Sequence, residues 1–269
     1  MKKHLLLLSA ILLIQAAAVS AFAQDKPTAV PAEIDMSDFY PLGFSTVDEV
    51  LFAKFGLDLP WADEVTFTNE SQHEYVDLGL SVKWAICNVG ASKPEEYGDY
   101  YAWGETEPKE FYFWDTYKFC DGSYKTLTKY TDSECGKDGF SDNKSVLDPE
   151  DDVAHVKWGG NWRIPTKDEL EELRTQCTWT SSTLNGVKGY TVTSKVDGYT
   201  DRSIFMPATG MRIRQWTLST DTIGRFWGNS IEIDDDSNEA VYLDFSFSRG
   251  PGRFSIVRCF GQCVRPVCP

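Results

Sequence analysis

The rhythm of hydrophobic and polar positions changes twice along this chain. Lys2 and Lys3 lead into an apolar run, and from residue 24 to 44 the chain turns polar, with proline and aspartate. In "STVDEVLFAKFGLDLPW" the apolar Val50, Leu51, Phe52 and Phe55 recur at helical spacing behind a Thr46-x-x-Glu49 start, which predicts a short amphipathic helix ending at Gly56. From about residue 74 the pattern shortens to strands and turns. "EYVDLGLSVKWAICNVG" predicts two strands, and "GDYYAWGE" a third between Gly98 and Gly104. Residues 105–147 are aromatic, charged and punctuated by glycine, with Cys120 and Cys135, and read as an insertion.

Two helix starts follow. In "LDPEDDVAHVKW" Asp148 is the expected cap, Pro149 takes the first turn, and Glu150 to Asp152 complement the helix dipole. In "WGGNWRIPTKDELEEL" Thr166 and Glu169 form a capping box for a helix over 167–177, with Pro165 just ahead of the cap. Gly159 and Gly160 permit backbone angles that a Cβ forbids. Beyond this helix the period is two again: "GVKGYTVTSK" and "SIFMPATG" predict strands. "AVYLDFSF" alternates, with Val241, Leu243, Phe245 and Phe247 on one face and Tyr242, Asp244 and Ser246 on the other. No internal repeat is present. The sum is α+β, two helices followed by a run of antiparallel strands.

Composition narrows the class. The basic start, the apolar run and Ala21-Phe22-Ala23 predict a signal peptide over 1–23, so the chain is expected to be exported, to the periplasm, the cell surface or the medium. No later stretch is apolar enough to span a membrane. Loss of Lys2 and Lys3 moves the net charge from −15 to −17. That acidity argues against nucleic acid or anionic membranes as partners, since both need basic patches. Aromatic residues make up 14%, with nine tryptophans, enough for a large core and for contact surfaces. Seven cysteines leave at least one thiol over. Cys259-x3-Cys263-x4-Cys268 lacks zinc spacing, and a local disulfide among these three is expected.

Several stretches together carry a resemblance. "YVDLGLSVKWAICNVGA", "EEYGDYYAWGET", "LDPEDDVAHVKWGGNWRIPTKDELEEL" and the terminal G-x-C-V-R-P-V, in order over residues 74–267, resemble the Fibrobacter major paralogous domain family of exported Bacteroidota proteins. The resemblance implies a C-type-lectin-like domain, related to sulfatase-modifying-factor folds, with two helices flanking a small twisted antiparallel sheet. It divides the chain into a signal peptide (1–23), an extension with a short helix (24–70) and the lectin-like domain (71–269) with its insertion near 105–147. Residues 158–166 would then turn the chain between the helices, with Trp and Arg buttressing the β core. Some relatives are diversified by retroelements between "YWSSS"-like and "SVRPV" landmarks. "FWGNS" (226–230) and "CVRPV" (263–267) stand there in this chain, which places the variable surface within 225–262. The segment departs from the diversified pattern, being acidic at "IEIDDDSNEA" and basic at Arg249, Arg253 and Arg258. The calcium-lectin motifs are absent.

Catalytic motifs are not evident. There is no G-x-S-x-G, H-E-x-x-H or phosphate-cradling glycine loop. His155, beside Asp151 and Asp152, reads as a satisfied or surface histidine, and Trp227 as core. Asp234 to Asp236 with Glu232 and Glu239 read as a solvated loop before a calcium site. The expected function is therefore non-catalytic recognition of an extracellular protein or glycan, with no cofactor and no bound metal. The contact candidates are Arg225, Phe226, Asn229, Glu232, Asp234, Asp235, Asp236, Asn238, Tyr242, Arg249, Arg253 and Arg258. A structural envelope component, or a formylglycine-generating-type copper oxidase built on Cys259 and Cys263, are the alternatives.

Overall fold

The computed structural model describes residues 73–231 and 237–269, which belong to one compact unit, Glu70–Pro269. The signal peptide, the 24–70 extension and its helix lie outside the described residues. β1 (Tyr75–Val76) and β2 (Lys83–Ala85) are the two strands expected first. β2 also pairs with β11 (Val267–Cys268), so the order β1-β2-β11 joins the two ends of the unit. "GDYYAWGE" forms no strand. Tyr101 exchanges bonds with Gln262, but its partner chain turns away at residues 258–260, and Trp103 N–H already donates to the Arg258 carbonyl.

The first helix start is displaced from its expected cap. Pro149–Asp151 is a single 3-10 turn whose Asp148 makes no capping bond, because that carboxylate holds Lys129 and Lys144. The cap is Asp152, which accepts from Ala154 and His155 N–H and, with its other oxygen, from Ile164 N–H; α1 then runs Val153–Trp158. The second start behaves as expected. Thr166 Oγ1 accepts from Glu169 N–H at 3.2 Å and Glu169 accepts from Thr166 N–H at 2.8 Å, opening α2 (Lys167–Gln176). Between them Gly159 and Gly160, with φ of 70° and 54°, make the turn. Trp158 and Trp162 are buried edge to face, with His73 stacked on Trp158, while Arg163 grips Glu169.

The rest is β. β3 (Cys177–Leu184), β4 (Val187–Ser194) and β5 (Ser203–Pro207) form one antiparallel sheet, its first hairpin turning at Asn185-Gly186 with both φ positive. β6 (Met211–Ile213) and β7 (Trp216–Leu218) form a small hairpin. β8 (Ile223–Ile231), β9 (Glu239–Ser246) and β10 (Gly250–Val257) form a third sheet, order β10-β9-β8. The α+β class stands, but among the described residues four small sheets replace the single sheet expected.

Two cores lie on the two faces of the β8–β10 sheet. Trp227, Ala240 and Tyr242 join Val153, Ala154 and Trp158 of α1 in one. Phe226, Val241, Leu243 and Phe245 join Leu170 and Leu173 of α2 in the other. Residues 105–147 are no appendage: Tyr112, Tyr117, Phe119, Leu127 and Tyr130 are buried members of the first core. The two faces of β9 alternate as expected, and both are covered. Tyr242 and Asp244 are as buried as Val241 and Leu243, and Phe247, past the strand, is exposed. Among the described residues no helix is long and apolar enough to cross a membrane.

Candidate functional site

The register of the third sheet sets Arg225 opposite Asp244 and Gly252, and Trp227 opposite Tyr242 and Phe254, all on one face. Asp244 is the buried hub of the polar cluster on that face. Its side chain is 1% exposed, and it accepts from Arg225 Nε at 3.0 Å and from Arg249. Each guanidinium also lies on a ring, Arg225 over Tyr242 at 5.3 Å and Arg249 over Phe254 at 4.8 Å. Gly252 makes room for this: a Cβ there would sit 2.5 Å from the Phe254 ring. Two guanidiniums share one carboxylate, so the patch is positive on an acidic protein.

Beside it the β6–β7 hairpin leaves part of its apolar face uncovered. Met211 pairs with Leu218 and Ile213 with Trp216, which puts four apolar side chains on one face and Arg212 and Thr217 on the other. Arg212 is the side chain that points inward: it donates to the Lys109 and Glu110 carbonyls and lies 5.2 Å over the Tyr112 ring. Arg212 of β6 pairs with Gly261, and Arg214 just beyond the strand pairs with Tyr112. The apolar face is left outward, with Met211 and Ile213 half-buried and Trp216 61% and Leu218 41% exposed. Met211 meets the Arg225 guanidinium through its sulfur, making hairpin and arginine patch contiguous.

Of the residues expected to make contacts, Arg225, Tyr242 and Arg249 are brought together, though Tyr242 is mostly covered by its neighbours. Phe226 is a correction: it points into the second core, because its register partner is Leu243 and not Tyr242. Arg258 is another correction. It is fully buried between Trp103 and Tyr117 and donates to the Tyr130 and Lys129 carbonyls, which tie the 105–147 segment down. Asn229 and Asn238 are buried and act through main chain, Asn229 bonding Pro165 and Leu147, and Asn238 accepting from Arg258. Arg253 is exposed on the opposite face, near Glu171, whose pKa Arg174 chiefly and Arg253 secondarily lower. Glu232, Asp234, Asp235 and Asp236 lie outside the described residues. The hairpin was missed, although Met-x-Ile and Trp-x-Leu flanking Arg214-Gln215 is a readable alternation.

None of the protein-family models, curated proteins or solved structures compared with the chain matches it. The site is therefore read from its own chemistry.

Cys259, Cys263 and Cys268 form no disulfide with one another. Cys259 belongs to the first core and Cys263 to the second, while Cys268 sits on β11 opposite Lys83, so the chain's short spacing is divided among three environments. Burial pushes the Cys259 thiol up to about 12, and Cys263 is raised for the same reason. His155 is exposed and its N–H serves the Asp152 cap, and Trp227 is core, donating from Nε1 to the Tyr101 carbonyl. Carboxylate oxygens of Asp148, Glu150 and Asp151 lie within 4.8 Å of one another. Lys129 bridges all three, with Lys118 on Asp151 and Lys144 on Asp148, so lysines already neutralise that cluster.

Proposed function

We propose that this is an exported, non-catalytic binding protein of C-type-lectin-like architecture, and that it recognises a protein partner through the β6–β7 hairpin and the adjoining arginine patch. The carrying observation is the hairpin's orientation. Trp216 and Leu218 stay exposed on its apolar face while Arg212 bonds into the body, so large apolar side chains remain open to a partner. Tryptophan and arginine are the residues most enriched at the energetic centres of protein interfaces, and here Trp216 shares a hairpin face with Met211, whose sulfur meets the Arg225 guanidinium. The lectin-like reading is supported by the family resemblance and by the placing of the α1 and α2 cores on opposite faces of one sheet. Cys259 and Cys263 lie in different cores, which weighs against the copper alternative.

A photo-crosslinking side chain in place of Leu218, in producing cells, tests this against the same probe at exposed Asp197. The expected result is a partner captured at 218 alone, whose purified form binds Trp216→Ala roughly 30-fold or more weakly. Equal capture at both positions, or a partner bound equally by Trp216→Ala, overturns the reading.

A further inference from the structure

The outer face of the β3–β4–β5 sheet carries no charge. Register places Thr178, Thr193 and Ser203 in one cross-strand row, Thr180, Thr191 and Phe205 in the next, and Ser182, Gly189 and Pro207 in a third. The alternate residues Tyr190, Val192, Ile204 and Met206 turn into the second core. In a chain with 41 acidic and 26 basic residues, a solvent-side face built from hydroxyls is a departure. Exposed strands ordinarily place charges there, which also discourages edge pairing.

Against this face the segment carrying Ile86 and Pro94 forms a groove of about 300 Å³. Ser182, Thr191 and Ser203 supply its hydroxyls, and Ile86, Pro94, Leu184 and Phe205 its apolar lining, with Phe205 the one aromatic ring. Gly189 admits that ring, since a Cβ there would lie 2.7 Å from it. Ser182 and Thr191 hold each other at 2.8 Å, and the loop opposite is tied down by Asn185 donating to Glu95 at 2.8 Å and Asn88 donating to the Tyr97 carbonyl at 2.8 Å. The groove is preformed on both sides.

We infer that this groove binds a neutral saccharide, independently of the hairpin site. A charged ligand would lose its hydration here and gain no countercharge. A wholly apolar one would strand the hydroxyls. A pyranose matches both walls, with a C–H face for Ile86, Pro94 and Phe205 and a rim of hydroxyls that donate to and accept from Ser and Thr. The volume is at the small end for ligand sites and suits one or two sugar rings.

Calorimetric titration of the intact protein with maltose, cellobiose, xylobiose and lactose, with glucuronate as the charged comparator, is the test. At least one neutral disaccharide is expected to bind and glucuronate to bind no better. Thr191→Val and Ser203→Ala should each weaken binding roughly three- to tenfold by removing one hydrogen bond. Ser203→Glu, at an exposed position, should abolish binding at unchanged melting temperature, and Trp216→Ala should leave it intact. Failure of all four sugars overturns the inference. So does binding that survives Ser203→Glu, or binding that Trp216→Ala weakens, which would move the sugar to the hairpin.

Discussion

Two pairs of arginines divide the labour in this molecule. Arg258 and Arg265 are fully buried and meet carbonyls: Arg265 donates to Asn88 Oδ1, to the Ala85 and Ile86 carbonyls and to the Phe205 carbonyl, tying its own segment to residues 85–88 and to β5. Arg225 and Arg249 meet a carboxylate and aromatic rings at the edge of solvent. All three nitrogens of the Arg265 guanidinium donate inside the fold and Arg258 donates from Nη1 and Nη2, whereas the surface pair converge on one shared carboxylate. The two roles are legible in which acceptors an arginine meets.

Arg265→Leu tests the buried side most severely. It would leave several interior acceptors unsatisfied and should lower unfolding free energy by about 3–5 kcal/mol in denaturant melts. A loss under about 1 kcal/mol would erase the distinction between the pairs. Asp244→Asn comes next, at about 1–3 kcal/mol, because it leaves two guanidiniums facing each other; adding Arg249→Gln should restore part of that loss, as Arg249→Gln alone costs less than about 1 kcal/mol. Trp216→Ala should change stability by no more than about 0.5 kcal/mol, which a melt can separate from its large effect on binding.

A gentler check uses pH. Asp148, like Asp244, is one carboxylate shared by two cations, and bonds from Lys129 and then Lys144 lower it to about 2. Its folded value lies below the usual 3.8, so its contribution is whole above that pH and is lost as pH falls through about 2. Asp148→Asn should flatten the acid limb of stability followed by near-ultraviolet circular dichroism. An unchanged limb would show that shared carboxylates here do not couple to folding.

Local signals were readable in the sequence and distant ones were not. The Thr166–Glu169 box depends on four consecutive residues and formed as expected. Asp148 lost its cap to Asp152 because Lys129, far back in the chain, claimed its carboxylate. The alternation of β9 was correct in period, but a segment about a hundred residues earlier covers its second face, and no window over β9 carries that fact. Arg258 shows the same limit: a basic residue in an apparently exposed window became the interior anchor of residues 129 and 130. The hairpin failed differently. Its alternation was visible, but period alone assigns the apolar side to a core, and only the inward pull of Arg212 on residues 109 and 110 reverses it.

The β1-β2-β11 sheet has a consequence for timing. β2 touches its final partner only when Val267 and Cys268 are present, and Arg163 also waits for Val267. The first strands of the unit are thus closed by its last, and loop closure over that span is slow. During folding β2 stays open along one edge, and the sheet locks only once the 267–268 strand docks.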